Sequence, residues 1–200
     1  RRQVFKMNLL YEKLPAVYEY GGKQYDIRTD FRDWIRFELL FTDWDVPMRD
    51  KKNALLRIIF SVVPPDPNLW EFILWFYKCG KEAREVKSAK TKGAKAKATA
   101  AVYSFEHDDG YVYSAFLEVY GLDLTAVEYL HWWKFKALFR GLHDCKFTDI
   151  MGYRAEDLDE APDYRKRFLR DMKKLYALPR SLSEQQKIEE LKRLKERVGY

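Results

Sequence analysis

The most informative segment of the chain is Asp30–Trp44, DFRDWIRFELLFTDW. Trp34, Phe37, Phe41 and Trp44 recur at i, i+3, i+7 and i+10. Phe31, Ile35 and Leu39 widen them into one apolar stripe, the pattern of an amphipathic helix with a broad buried face. Asp30 suits the N-cap, because its carboxylate can accept from the first unpaired helical N–H groups. Pro47 limits the segment downstream, since proline is tolerated only in a first helical turn.

Upstream, Ala16–Tyr20 and Lys23–Ile27 flank Gly21-Gly22, which predicts a β-hairpin with a two-residue turn. An isolated hairpin is marginal, so it must pack on the helices. Residues 1–6 precede Met7, where the first ordered segment is expected to begin, and read as an N-terminal extension. Downstream, Lys51–Phe60 carries Leu55, Ile58 and Ile59 on one face. Pro64, Pro65 and Pro67 separate it from a helix over Asn68–Cys79 that is apolar almost all round. Such a helix belongs in the core or against a partner.

Lys81–Ala101 is built from Lys, Ala, Thr and Ser, with Val86 as its one large apolar residue. It cannot bury enough surface to offset the ordering of its backbone, and is expected to be a flexible insertion. Tyr111, Tyr113, Phe116, Leu117 and Tyr120 then predict a helix ending at Gly121. Thr125 and Glu128 have capping-box spacing and predict a helix running from there to Gly141. Thr148 is a candidate cap for a single turn. Asp163–Leu178 reads as a basic amphipathic helix, and Ser183 and Gln186 open a last one with Ile188, Leu191, Leu194 and Val198. The expected class is mainly α: a helical domain over 7–164 with a short N-terminal hairpin, interrupted by the insertion 81–101, followed by basic C-terminal helices over 165–200.

With 200 residues, 47% hydrophobic and 16% aromatic, the chain has enough apolar surface for one ordinary core. Cys79 and Cys145 cannot make a disulfide framework. The longest nearly apolar run, Leu69–Tyr77, is far short of the roughly 18–20 residues that a membrane span needs. These features together predict a soluble, cytoplasmic protein. The net charge of +6 is unevenly placed. Residues 7–80 and 102–164 together carry −9, and the basic surplus sits in 1–6, 81–101 and 165–200. Aromatics in an acidic body do not make base-stacking platforms, because phosphate would be repelled. Nucleic-acid binding through the lysine insertion or the basic helices is therefore the minor reading.

No phosphate-cradling glycine loop, nucleophile elbow or His-Glu-x-x-His motif occurs. His143, Asp144 and Cys145 are consecutive and diverge, unlike metal ligands. Glu106–Asp109 reads as favourable charge at a helix start. His131, between aromatics, reads as a hydrogen-bonded interior or groove histidine. No catalytic, cofactor or metal site is expected, and no enzyme class. Aromatics pack cores and also anchor interfaces. On that basis Trp70, Trp75, Tyr129, Trp132 and Trp133 are the candidate partner-binding or core aromatics.

Met7-Asn-Leu-Leu-Tyr-Glu-Lys-Leu-Pro15, Thr29-Asp-Phe-Arg-Asp-Trp-Ile-Arg-Phe-Glu38, Leu74-Trp-Phe-Tyr-Lys-Cys-Gly80, Tyr129-Leu-His-Trp-Trp-Lys-Phe135 and Met151-Gly-Tyr-Arg154 resemble the bacteriophage gene-product-fifteen family of tailed phages and prophages of Gram-positive bacteria. The resemblance runs from Met7 to about Pro179. It implies a tail assembly chaperone for the tape-measure protein, acting in the host bacterial cytoplasm and assisting tail-tube assembly. It carries no catalytic residues. The basic last helices are candidates for contacting tail-tube subunits, and self-association is left open. The alternatives are a structural tail component retained in the virion and a nucleic-acid-binding accessory protein.

Overall fold

A computed structural model describes residues 7–43, 45–81 and 101–179. The remainder of the insertion, the last helix anticipated over Ser183–Val198, residues 1–6 and Trp44 lie outside the described residues. The described chain is mainly helical, as the periodicity predicts. Its elements are β1 (Val17–Tyr20), β2 (Lys23–Asp26), α1 (Phe31–Thr42), α2 (Met48–Ile59), α3 (Leu69–Tyr77), α4 (Asp109–Tyr120), α5 (Trp132–Gly141), α6 (Lys146–Ala155) and α7 (Asp163–Leu175).

The hairpin forms where the glycine pair places it. Val17 pairs with Asp26 and Tyr20 with Lys23, antiparallel. Gly21 and Gly22 take φ of +59° and +72°, the mirror-image turn that matches strand twist and that side chains resist. Tyr18 anchors the hairpin: its ring packs on Phe72 and Phe60, and its hydroxyl donates to Asp66.

Asp30 caps α1, accepting from Arg32 N at 3.0 Å. At the other end, the buried Lys51 ammonium donates to the carbonyls of Phe41 and Asp43. A cation thus meets the unpaired carbonyls of a helix C-terminus. Helix α2 begins earlier than Lys51, at Met48, because Pro47 serves as its N-cap residue.

The segment after Gly121 departs from expectation. No helix starts at Thr125; α5 begins at Trp132. The Asp123 carboxylate takes Thr125 N at 2.8 Å and the Thr125 hydroxyl at 2.6 Å, closing a local turn instead of a capping box. The carbonyls of Leu124 and Val127 are then committed to the Arg32 guanidinium at 2.9 and 2.7 Å. Tertiary bonds to α1 outcompete the local helix. Thr148 also does more than cap a single turn. Its hydroxyl accepts from Cys145 N, and the helix it opens runs for ten residues because Phe147 and Ile150 are fully buried.

The core is an aromatic stack. Phe76, Trp34, Trp132, Phe135 and Phe116 follow one another with near-parallel rings at centroid distances of 4.5, 6.1, 5.8 and 5.1 Å. All five are fully buried. Helix α7 joins this body from outside, burying Leu169 and bridging to α6 through Arg165–Glu156 and Lys173 to the Arg154 carbonyl. It spans the boundary at 165 that charge alone would draw.

Candidate partner-binding surface

The five candidate aromatics do not share one groove. Trp132 and Trp133 are interior, at 0% and 4% exposure. Their indole N–H groups donate to Tyr77 O at 3.1 Å and Phe76 O at 2.8 Å, satisfying carbonyls at the C-terminal end of α3. They belong to the core half of the reading. Trp70 and Trp75 are half-buried and lie about 140° apart around α3. Trp70 rests on Phe37 and Phe41, whereas Trp75 meets Trp133 edge-on at 5.4 Å. Tyr129 is 56% exposed, its hydroxyl bonded to Thr29 at 2.6 Å. Of the five, only Tyr129 offers much of its ring to solvent.

These residues lie at structural joints. Thr29–Glu38 and Tyr129–Phe135, a hundred residues apart, meet as two helix N-termini. Phe31 N donates to Leu130 O at 2.9 Å and Trp132 N to Thr29 O at 2.7 Å, so each helix satisfies the other's first orphan N–H. His131 caps α5 by accepting from Trp133 N on Nδ1 at 3.0 Å, which fixes the neutral tautomer with its proton on Nε2. That proton faces Pro15 O at 3.2 Å. Burial pushes the His131 pKa down. Gly80 closes the same joint: at φ +68°, a Cβ there would sit 2.9 Å from the Trp133 ring.

Two charged clusters complete the interior. Asp108 and Arg154 form a buried bidentate pair at 2.6 and 2.9 Å, and Arg154 also donates to Tyr176 O and Val102 O. Burial works to raise the Asp108 pKa, but hydrogen bonds from Arg154 and Ser104 N hold it below the usual carboxylate range. Asp108 is therefore more than favourable charge at a helix start; it pins α4 to α6. The second cluster joins Glu38, Tyr103 and Lys136. Tyr103 OH donates to Glu38 at 2.9 Å, and the Lys136 ammonium lies 3.8 Å from the other Glu38 oxygen. It also sits within 5.8 Å of the ring centroids of Trp132, Tyr103, Phe105 and Phe139. Burial pushes the Lys136 pKa down and that of Tyr103 up. Among the described residues no group of histidine, cysteine and carboxylate side chains is arranged to hold a metal, and no helix is long and apolar enough to cross a membrane.

An open apolar surface lies on α7. Tyr164, Phe168 and Leu175 are 87%, 46% and 66% exposed and share one face. Phe168 packs edge-on to Tyr153, and Tyr153 stacks on Tyr176, which Tyr111 also meets. The result is an aromatic patch across α4, α6 and α7, on a helix with six basic and two acidic residues. A signal for it is present in the sequence: α7 carries more apolar positions than one buried stripe uses. Leu169 takes the buried place, which leaves Tyr164 and Phe168 outside.

No curated protein and no solved structure matches the chain. A family model described as Bacteriophage Gp15 protein matches residues 10–178, so the chain belongs to the bacteriophage Gp15 family, and it is a phage structural or assembly-related protein.

Proposed function

We propose that this protein is a tail assembly chaperone that binds the tape-measure protein and holds it for tail-tube assembly in the host cytoplasm. The observation that carries the reading is the apolar face of α7 in a protein of this family. A tape-measure protein is a very long helical chain whose apolar positions must be covered before the tube surrounds it. Tyr164, Phe168 and Leu175 supply anchors at helical spacing, and the surrounding arginines and lysines favour an amphipathic helix with an acidic flank. The same basic face suits tail-tube subunits as a second contact. The role is one of binding, and no catalytic step is needed for it.

Co-expression with the tape-measure protein tests this. The tape-measure protein is expected in the soluble fraction only when this protein is present, and to be lost from it with the triple variant Tyr164→Ser, Phe168→Ser, Leu175→Ser. Equal solubility without the protein would sink the proposal. Mass spectrometry of purified particles addresses the alternative of a structural tail component: a chaperone is absent from the mature virion, whereas a tail component is present in fixed copy number.

A further inference from the structure

A groove of about 540 Å³ opens between α1 and α2, lined by Arg28, Asp33, Arg36, Asn53, Arg57 and Ile58 among others. Three arginines and one aspartate are among its lining residues, within a body whose segments 7–80 and 102–164 carry a net −9. Asp33 already engages Arg36 at 2.9 Å. Among the described residues, Arg28 and Arg57 have no ion-pair partner. Their backbones are held by the fold. Arg28 N donates to Ile59 O at 2.8 Å, and Arg28 O accepts from the buried Trp34 indole at 2.8 Å. Arg57 lies one turn after Asn53 on α2, whose Leu55 and Ile59 are fully buried.

We infer that this groove is a binding site for an acidic peptide segment of a partner protein, with Arg28 and Arg57 taking its carboxylates. Guanidinium forks match carboxylates two bonds at a time, and neither of these two has an ion pair among the described residues to break first. Ala54 and Ile58 give the groove an aliphatic strip that suits the methylenes of glutamate or a neighbouring apolar side chain. A nucleic-acid strand fits less well, because the net −9 of segments 7–80 and 102–164 works against a long polyphosphate, whereas an acidic run in a peptide can be short. The site uses elements other than the α7 face and does not depend on the tape-measure reading.

Fluorescence anisotropy of the full chain at physiological salt, with fluorescein-labelled hexaglutamate as probe, tests the site. The variant Arg28→Gln, Arg57→Gln is expected to weaken binding at least tenfold while its thermal unfolding is unchanged, since both side chains are exposed. Asp33→Asn is expected to tighten binding several-fold, by removing the internal carboxylate that competes for Arg36. Lys134→Gln, Arg140→Gln on α5, two exposed positions outside the groove, serves as the control for basic surface elsewhere, and is expected to change binding less than twofold. The inference is overturned if Arg28→Gln, Arg57→Gln binds hexaglutamate like the parent. It is also overturned if a labelled dodecathymidylate strand binds more tightly than the peptide and loses as much affinity with the same substitutions, since the groove would then be a phosphate site.

Discussion

Aromatic side chains fill the α1–α3–α5 interior and also the α4–α6–α7 flank, but the two regions hold them by different means. In the interior, every ring lies against another ring, and the buried indoles of Trp34, Trp132 and Trp133 all donate to backbone carbonyls. On the flank, Tyr164 and Phe168 sit on a basic helix with much of their surface in water. The first region spends its aromatics on joining helices whose sequences lie far apart. The second leaves them available. Residue type alone does not separate the interior from the flank; how fully the fold encloses each ring does.

The sharpest way to break the interior is Trp132→Ala. It removes the centre of the ring stack and leaves Tyr77 O without its indole donor, so a loss of about 3–5 kcal/mol is expected. Urea unfolding followed by tryptophan fluorescence measures it. A loss under 1 kcal/mol would mean that the stack is not what holds α1, α3 and α5 together.

Within the flank, α4 and α6 are joined by the Asp108–Arg154 pair. Removing one partner of a buried pair leaves the other charge uncompensated, and Asp108→Ala is expected to cost about 3 kcal/mol. Because the folded Asp108 pKa lies below its ordinary value of 3.8, the pair's contribution is complete above that pH and disappears as pH falls through the folded value. Acid unfolding of the parent should thus show a component that Asp108→Ala lacks. Equal acid sensitivity of the two proteins would count against the pair.

Much of this division was legible in the sequence. The α1 stripe, the Gly21-Gly22 hairpin, the Gly121 stop and the apolar α3 all follow from local rules, because each element carries its own period, cap or turn residue. The start of α5 was not legible. Thr125 and Glu128 satisfy the capping-box spacing, but Asp123 and Arg32 claim the neighbouring polar groups, and Arg32 reaches them from 92 and 95 positions away. The candidate site was legible only in part. A tryptophan pair such as Trp132-Trp133 has the same composition whether its N–H groups face carbonyls or water, so its burial depends on where α3 ends in space. The α7 patch shows the converse: its apolar residues are visible in sequence, but which of them Leu169 displaces to the outside is decided by packing on α6.

A smaller effect is expected at His131. Trp133 N–H points at Nδ1, so a proton there would face another donor, and burial independently disfavours the cation. The unfolded chain takes up that proton near the ordinary histidine value of 6.5. Stability is therefore complete above pH 6.5 and falls as pH drops below it, until the folded value is reached. His131→Asn keeps an N-cap acceptor without a titrating group, and should flatten this part of the profile between pH 7 and pH 5. A variant with the parent's slope would place the titration elsewhere.

The smallest expected change in stability sharpens the comparison most. Phe168→Ser and Tyr164→Ser alter rings that are roughly half and mostly exposed, and surface substitutions of this kind stay within about 0.5 kcal/mol. Phe168 also touches Tyr153, so it is expected to be the costlier of the two. Thermal unfolding of the double variant should nearly overlay that of the parent, in contrast to the large loss from one interior tryptophan. If the double variant instead unfolds as readily as Trp132→Ala, these rings are part of a core, and α7 has no free face to offer a partner. If it overlays the parent, two exposed aromatic side chains persist on this helix without contributing to its folding, which is the energetic pattern of a surface kept for binding.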